Sequence, residues 1–267
     1  MKAMNTLKQL NEARATFKSK LRTNKCVFGG WTSIAHPQIT EIMTRAGFDF
    51  IGIDIEHSTI SQEQSQRIIA ASHANGVLCL PRIASHNMEM IKRLLDSGAD
   101  GIIVPMVDTP QDVEDIIRWS KYSPLGKRSF GISRAQGYGF DFDEYVNSWN
   151  SASTVIVQIE SIEGVDNINE ILSCDQVDGA MIGPYDLSGS LGIPGQLDNP
   201  LVTAAGKKVI AACKGHNKAC GTQLTEPDLK SIKTAKDAGY TLIVLASDVF
   251  LLWKWSENMG NIIRQAQ

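Results

Sequence analysis

The sequence predicts an α/β protein, and the fold class it favours is a (β/α)8 barrel, or TIM barrel. Eight short apolar segments recur along the chain, with segments of helical periodicity between them. The apolar segments are continuous, which is typical of parallel strands buried on both faces. Eight strands and eight helices within 267 residues also match the usual size of this barrel.

The predicted strands and helices alternate in order. The strands are predicted at 26–31, 48–54, 78–83, 101–106, 154–160, 179–183, 219–224 and 242–247. The helices are predicted at 36–47, 62–76, 87–98, 110–121, 163–173, 199–217, 226–239 and 248–267. Several helices are predicted to end at a glycine, which readily adopts the left-handed C-terminal conformation: Gly47, Gly76, Gly98 and Gly239. A doubly wound open sheet is the alternative, but no GxGxxG loop follows the first strand.

The whole chain, 1–267, is predicted to be a single barrel domain with additions at both ends. Residues 1–22 have the pattern of a polar, amphipathic helix. The last helix, 248–267, has more apolar residues than one barrel-facing stripe needs, which favours contact with a second subunit. A connection at 123–147 is unusually long, and long ordered loops are often functional. Its Arg128 and Arg134 suggest an acidic or polyhydroxylated substrate fragment.

Composition excludes several classes of partner. The net charge is -3 and no basic tract occurs, so neither nucleic acid nor a membrane surface is an expected partner. No apolar run reaches the roughly 18 residues of a transmembrane helix, and residues 1–21 lack the apolar core expected of a signal peptide. The five cysteines lack metal-site spacing, so we expect reduced thiols in a cytoplasmic protein.

The polar residues that follow the predicted strands form the candidate site. Active sites of this barrel lie at the carboxyl ends of the strands, where the loops converge. The polar residues at these ends are Asp54, Glu56 and His57 (second strand), Arg82 (third), Gln158 and Glu160 (fifth), Asp186 (sixth), Gln223 (seventh), and Ser247 and Asp248 (eighth).

The acids in this set predict a metal site. Carboxylates held close together repel one another and need a positive partner. Glu160 and Asp186 end adjacent strands, so their side chains can approach one another. Two carboxylates and several waters are ordinary ligands of a hard divalent cation such as Mg²⁺ or Mn²⁺. The alternative for either acid alone is to cap a helix N-terminus.

Two basic residues suggest further roles, Arg82 in substrate binding and His57 in proton transfer. Arg82 at a strand end can hold a carboxylate with two hydrogen bonds, although a salt bridge to a nearby acid is the alternative. His57 lies among the acids and can act as a general base. No lysine lies within or at the end of a predicted strand, which favours a metal over a Schiff base for activating a carbonyl.

Five segments carry a family resemblance. FDFIGIDIEHS, LPRI, IKRLLDSGADGIIVPMVDT, VQIESIEGVDNINEIL and VDGAMIGPYDLSGSLG follow one another within about residues 29–248. Together they resemble the HpcH/HpaI aldolase family, metal-dependent class II aldolases of the phosphoenolpyruvate/pyruvate-binding barrels. The resemblance implies cleavage or formation of 4-hydroxy-2-oxo acids, such as 4-hydroxy-2-oxoheptanedioate or 2-keto-3-deoxy sugar acids, through pyruvate and an aldehyde. It also implies a homohexamer whose subunits exchange the last helix.

The resemblance implies a role for each matching residue. Glu160 and Asp186 would hold the divalent metal, which is Mg²⁺, Mn²⁺ or Co²⁺ in such enzymes. Asp54 and Glu56 would bind waters around that metal.

The remaining matches concern the substrate. Arg82, Gln158 and the backbone amides of Tyr185 and Asp186 would contact pyruvate. His57 would be the base, paired with Asp96 of RLLDSGAD. Tyr185 replaces the alanine found in many members, so the aldehyde is left open.

Two other functions are left as alternatives. One is an acyl-CoA lyase of the citrate lyase type, which would need a basic pocket for the CoA phosphates, and no dedicated basic cluster is evident. The other is a barrel that binds metal without catalysis, which would not need the full set of strand-end residues. The native metal, the stereochemistry and the pathway are also left open.

Overall fold

The chain folds as a closed barrel of eight parallel strands, and the computed structural model describes residues 6–267. The strands are β1 (Val27–Thr32), β2 (Phe50–Asp54), β3 (Leu78–Arg82), β4 (Gly101–Val104), β5 (Thr154–Ile159), β6 (Gly179–Ile182), β7 (Ala219–Leu224) and β8 (Leu242–Leu245). Each strand pairs with the next one in sequence, and β8 pairs with β1 to close the ring. The predicted fold class and all eight predicted strands are confirmed.

Twelve α-helices occur within residues 6–267. They are α1 (Leu7–Arg22), α2 (Pro37–Thr44), α3 (Gln62–Ala74), α4 (Met88–Asp96), α5 (Pro110–Ser120), α6 (Phe142–Ala152), α7 (Ile162–Asp166), α8 (Ile168–Ser173), α9 (Pro184–Ser190), α10 (Pro200–Gly215), α11 (Leu229–Ala238) and α12 (Asp248–Ala266). A short 3-10 helix, Arg134–Gly139, precedes α6. The predicted glycine helix ends are confirmed by positive φ angles at residues 47, 76, 98 and 239.

Three helical features differ from the prediction. The predicted loop 123–147 runs into α6, whose Tyr145, Trp149 and Ala152 are buried on one face. The predicted helix 163–173 is divided into α7 and α8 at Asn167. The helix α9 follows β6 directly and begins at Pro184, a residue whose fixed φ suits a first helical turn.

The strands send alternate side chains into and out of the barrel. On β3, Leu78 and Leu80 belong to a buried cluster with Ile156 and Met181, which fills the barrel interior. Cys79 lies between them in sequence and belongs to a second buried cluster, shared with the surrounding helices. Because side chains of a strand alternate with a period of two, the same rule continues to the carboxyl ends of the strands.

Helix α1 packs against the amino-terminal end of the barrel. The Phe17 ring lies 5.6 Å from the ring of Phe50, the first residue of β2. The Arg14 Nε donates to Asp100 Oδ1 at 2.7 Å, immediately before β4. The predicted N-terminal helix is thus confirmed over Leu7–Arg22, and residues 1–5 lie outside the described residues.

Helix α12 is almost entirely exposed in the single chain. Asp248 is its only buried residue, and large apolar side chains are between 46% and 62% exposed along it: Val249, Leu251, Leu252, Trp253, Trp255, Ile262 and Ile263. The additional apolar residues that the sequence predicts for this helix are therefore not covered by any other part of residues 6–267. No helix among residues 6–267 is long and apolar enough to cross a membrane.

Candidate active site

The strand alternation brings the predicted site residues to the carboxyl-terminal mouth of the barrel. Arg82 lies two residues after Leu80 on β3, and Gln158 lies two residues after Ile156 on β5. Both therefore continue the interior face of the barrel, and Glu160 follows Gln158 by another two residues. Gln158 and Glu160 are each 3% exposed. The interior of the barrel thus changes from apolar to polar at its mouth.

Glu160 is held by a backbone amide and a side-chain amide. Its Oε2 accepts the Met106 N–H at 3.0 Å, and its Oε1 accepts the Gln158 Nε2 at 2.5 Å. Met106 has φ +51°, a conformation that is unusual for a residue other than glycine and is found at functional sites. Burial raises the pKa of Glu160 to about 7; the Met106 N–H opposes this rise, while the Glu56 and Asp186 charges add to it.

Gly183 lies directly against the Glu160 carboxylate. A Cβ at residue 183 would be 2.4 Å from Glu160 Oε1 and 2.6 Å from its Cγ. Since atoms cannot approach that closely, only glycine lets the end of β6 pass this carboxylate without displacing it. The β5 and β6 ends are therefore fitted to one another around Glu160.

Arg82 is the cation that faces the acids. Its Nη2 and Nε donate to Asp54 Oδ1 at 2.8 and 3.2 Å. Its Nη1 lies 3.1 Å from Glu56 Oε2, within ion-pair distance. Asp54 and Arg82 are paired residues of β2 and β3, so strand register places them together. The salt bridge that was the alternative for Arg82 is therefore present.

His57 lies at the rim of this group. Its side chain is 66% exposed, and its Nε2 lies 3.8 Å from Glu56 Oε2. The backbone N–H of His57 donates to Asp54 Oδ1 at 3.1 Å, which fixes the start of the loop. The structure thus brings His57 beside the acids while leaving the imidazole open to a ligand.

Asp186 and Tyr185 lie in the first turn of α9, and both are exposed. The Asp186 charge raises the pKa of Glu56 as well as that of Glu160, so the three carboxylates share one electrostatic environment. Tyr185 is 64% exposed at this rim.

Asp96 is not part of this group within one chain. It accepts the Arg128 Nη2 at 2.6 Å, and no contact joins it to His57 in the described part of the chain. The Arg128 side chain is fully buried, and its guanidinium lies over the rings of Tyr122 and Trp149 at 4.8 Å from each centroid. Arg128 therefore serves packing and an ion pair, not the barrel mouth of its own chain.

Arg134 is also turned elsewhere. Its Nη1 donates to Ser97 O at 3.1 Å, beyond the end of α4 and beside the amino-terminal end of the barrel. The Asp248 carboxylate is structural, since it accepts Thr32 Oγ1 at 2.6 Å and the backbone N–H groups of Ser33 and Ile34. Ser247 accepts the Phe250 N–H and caps α12.

The mouth has the properties of a cation site. Burial raises the pKa of Glu56; Arg82 and His57 oppose this rise, and Asp54 and Asp186 add to it. Two buried oxygens here, Glu56 Oε2 and Gln158 Oε1, have no hydrogen-bond partner. A hard divalent cation with its waters would supply the missing charge and donors. Among residues 6–267 no group of three acidic, histidine or cysteine side chains is arranged to hold a metal ion by itself.

Two buried lysines with lowered pKa values lie at the opposite end of the barrel. Burial lowers the pKa of Lys121 to about 7 and that of Lys218 to about 8. Lys121 Nζ donates to Ser153 O at 3.0 Å just before β5, and Lys218 directly precedes β7. Neither lysine lies at the mouth.

Sequence reasoning missed three parts of the site. The Met106 amide and Gly183 act through backbone geometry, which leaves no signal in a single sequence. Trp31 was predicted only as part of an apolar strand, although its ring lies 5.1 Å from the Arg82 guanidinium carbon. The available signal was an aromatic residue near the carboxyl end of β1, on the same interior face of the barrel as the arginine at the end of β3.

Known proteins resemble this chain over nearly its whole length. The family model described as HpcH/HpaI aldolase/citrate lyase matches residues 28–254. A protein of Roseobacter denitrificans named hydroxypyruvate/pyruvate aldolase is 35% identical over 239 residues, covering 89% of this chain and 92% of that protein. The 5-keto-4-deoxy-D-glucarate aldolase of Citrobacter koseri is 31% identical over 250 residues, covering 93% and 96%.

A solved structure agrees with these matches. The crystal structure of an HpcH/HpaI aldolase/citrate lyase family protein from Burkholderia cenocepacia has a TM-score of 0.87 at 29% identity, covering 94% of this chain and 99% of that chain. The family-model match, residues 28–254, includes every strand that supplies a residue of the mouth. The family resemblance of the sequence is confirmed: the chain belongs to the HpcH/HpaI aldolase/citrate lyase family and is a carbon–carbon lyase of the aldolase type.

Proposed function

We propose that the chain is a divalent-metal-dependent aldolase that cleaves or forms 4-hydroxy-2-oxo acids, with a donor keto acid of the pyruvate type. The observation that carries this proposal is the set of acids around Arg82, together with two buried oxygens at the mouth that accept no hydrogen bond. The names of the relatives, hydroxypyruvate/pyruvate aldolase and 5-keto-4-deoxy-D-glucarate aldolase, support the same class of donor.

Glu160 and Asp186 would hold the metal, which is Mg²⁺, Mn²⁺ or Co²⁺, and Asp54 and Glu56 would order waters next to it. When bound, such an ion acts as a Lewis acid that stabilises negative charge on the keto oxygen as the carbon–carbon bond breaks. The chain contributes the fixed position of the Glu160 carboxylate, through the Met106 N–H and Gly183.

Arg82 and Gln158 would position the keto acid. The Arg82 Nη1 lies at the mouth with no hydrogen bond of its own, so it can donate to a substrate carboxylate. Gln158 is buried beside Glu160 and offers an amide oxygen without a donor. The backbone N–H groups of Tyr185 and Asp186 at the start of α9 would add donors, whereas Pro184 has none.

His57 would be the base that takes the proton from the 4-hydroxyl group in the cleavage direction. Its exposed imidazole can reach a ligand that enters from solvent. Its predicted partner, Asp96, is 23% exposed and held by Arg128. Because no contact joins Asp96 to His57 within the described chain, the pair would form between subunits.

The oligomer is proposed on the same basis. The exposed apolar face of α12 supports a homo-oligomer in which this helix packs on a neighbouring subunit, and the family resemblance favours a hexamer.

The proposed location of the protein is the cytoplasm. All five cysteines are free thiols, which supports a reducing compartment.

The test needs no knowledge of the aldehyde. The metal-loaded protein is incubated with pyruvate in D₂O, and loss of the methyl proton signal is followed by NMR. We expect exchange that stops on chelation and in Glu160→Gln and Asp186→Asn variants. Glu170→Gln, which changes an exposed acid of α8, is the matched control and should exchange normally. Normal exchange in the Glu160 variant, or no exchange with any of the three metals, would contradict the proposal.

A further inference from the structure

Arg82 is held by two acids and also faces an aromatic ring. The acids are Asp54 and Glu56. The guanidinium carbon lies over the indole ring of Trp31, 5.1 Å from the ring centroid. A guanidinium within about 6 Å of an indole face is attracted by the ring electrons, and the attraction grows where water is excluded. Trp31 is 3% exposed, so this contact is shielded from solvent.

The barrel makes room for this indole at one position on the neighbouring strand. Trp31 on β1 is paired in register with Gly52 on β2. A Cβ at residue 52 would lie 2.3 Å from Trp31 Cε3 and 2.6 Å from its Cζ3. Any other residue at position 52 would push the indole away from its present place. Gly52 is therefore the counterpart of Trp31, two residues before the Asp54 that bonds Arg82.

The contact with Trp31 adds a restraint on the guanidinium to those that the acids supply. Asp54 alone fixes one end of Arg82, through Nε and Nη2. Glu56 faces Nη1 at 3.1 Å without an aligned hydrogen bond, so it attracts that end without fixing its direction. The Trp31 indole adds a further restraint, because attraction to the ring electrons favours positions of the guanidinium close to the ring. Nη1 is the end that remains available for a substrate carboxylate.

We propose that Trp31 is a positioning residue for Arg82, and that Gly52 is required because it admits the indole. This inference rests on the proposed role of Arg82 in binding the keto-acid carboxylate. Trp31 has no role of its own in proton transfer or metal binding, and its loss should weaken keto-acid binding more than turnover.

The experiment measures the pyruvate dependence of methyl proton exchange in D₂O with the metal-loaded protein. Leu in place of Trp31 keeps an apolar side chain but removes the aromatic face, and we expect Trp31→Leu to raise the KM for pyruvate roughly tenfold. The exchange rate at saturating pyruvate should stay within about threefold of wild type. Trp31→Phe keeps an aromatic face, and its KM should lie within about threefold of wild type.

Gly52→Ala tests the same contact without removing the indole. We expect it to raise the KM as Trp31→Leu does, because the added methyl group displaces the ring. Gly29→Ala is the matched control, since a Cβ there would also lie 2.3 Å from an aromatic ring, that of Phe50 at the amino-terminal end of the barrel. Gly29→Ala should leave the KM unchanged, and circular dichroism should verify folding of every variant.

The outcomes separate this inference from the proposed function. Arg82→Lys keeps the charge but loses the planar fork, so it should raise the KM. If Arg82→Lys raises the KM while Trp31→Leu does not, the positioning role of Trp31 is wrong and the role of Arg82 stands. If Trp31→Leu and Trp31→Phe raise the KM equally, the aromatic face is not the cause, and the inference also fails. If Arg82→Lys leaves the KM unchanged, the proposed function of Arg82 itself is wrong.

Discussion

Gly183 sets the distance between the backbone of β6 and the Glu160 carboxylate. We expect Gly183→Ala to displace that carboxylate, because the new methyl carbon would start 2.4 Å from Oε1. A shift of about 1 Å in a catalytic group can cost on the order of 100-fold in activity, and we expect a loss of about that size in pyruvate proton exchange. The measurement is the exchange rate of the variant at saturating metal and pyruvate.

Gly189, in the helix α9 that follows Gly183, provides the control. No atom lies within 4 Å of the position that a methyl group at Gly189 in α9 would occupy, so Gly189→Ala removes chain flexibility without a clash. We expect its exchange rate to match wild type, and both variants should melt within a few degrees of it. Equal activity of the two variants would show that the fit between Gly183 and Glu160 is unimportant.

The residue scale also shows where sequence reasoning succeeds. Asp54, Arg82 and Glu160 were predicted because each follows an apolar strand, and barrel strands all end at one mouth. Gly183 and the Met106 amide were missed because their contribution is a backbone position, which a residue type does not reveal. A contact between subunits, as proposed for Asp96 and His57, also cannot be predicted from the sequence of a single chain.

At the scale of elements, helical periodicity and the apolar composition of the strands were enough to predict most helices and all eight strands of the barrel. The prediction was wrong at α6, because its aromatic and polar residues were interpreted as part of a long loop. The spacing of Tyr145, Trp149 and Ala152, four and then three residues apart, was the helical signal that this interpretation overlooked. Helix α9 was missed because it has only seven residues and contains Gly189 and three other small or polar residues.

Helix α12 leads to a prediction about assembly. Leu252 and Ile263 lie on the same face, three turns apart, and are 53% and 57% exposed. Burying a leucine side chain contributes about 1.5–3 kcal/mol, so a charge at this position should weaken association at least tenfold. We expect Leu252→Glu and Ile263→Glu to lower the molar mass measured by light scattering coupled to size-exclusion chromatography.

Asn261 on the opposite, polar face is the control for this experiment. Asn261→Glu adds the same charge to the same helix, and we expect its molar mass to equal that of the wild-type protein. An unchanged mass in both Leu252→Glu and Ile263→Glu would mean that α12 is not the subunit contact.

At the scale of the whole molecule, Asp100 ties the cap helix α1 to the barrel. Its carboxylate accepts Arg14 Nε from α1 at 2.7 Å, lies 2.8 Å from His73 Nε2 of α3, and accepts the Cys79 N–H of β3 at 2.7 Å. Burial alone would raise the pKa of Asp100, but His73, Arg14 and the Cys79 N–H lower it to about 2. One ionised group therefore joins three elements at the amino-terminal end of the barrel.

This lowered pKa makes stability depend on pH in a defined direction. The folded chain binds the Asp100 proton less readily than the unfolded chain, whose pKa is near the ordinary 3.8. The resulting stabilisation, on the order of 2 kcal/mol, is complete above about pH 5 and is lost as the pH falls from 3.8 towards 2. We expect the free energy of unfolding, measured with urea, to fall by about 1 kcal/mol from this group between pH 5 and 3.

Comparison with Asp100→Asn isolates this contribution. The variant should be less stable than wild type by about 3 kcal/mol at pH 7, because Arg14 is left buried without its partner. The difference should shrink as the pH falls to 3, since the Asp100 carboxyl of the unfolded wild-type chain then binds a proton that the folded chain does not. Asp237→Asn, an exposed acid of α11, should track wild type at every pH. A difference between wild type and Asp100→Asn that stays constant from pH 7 to 3 would place the stabilising charge elsewhere.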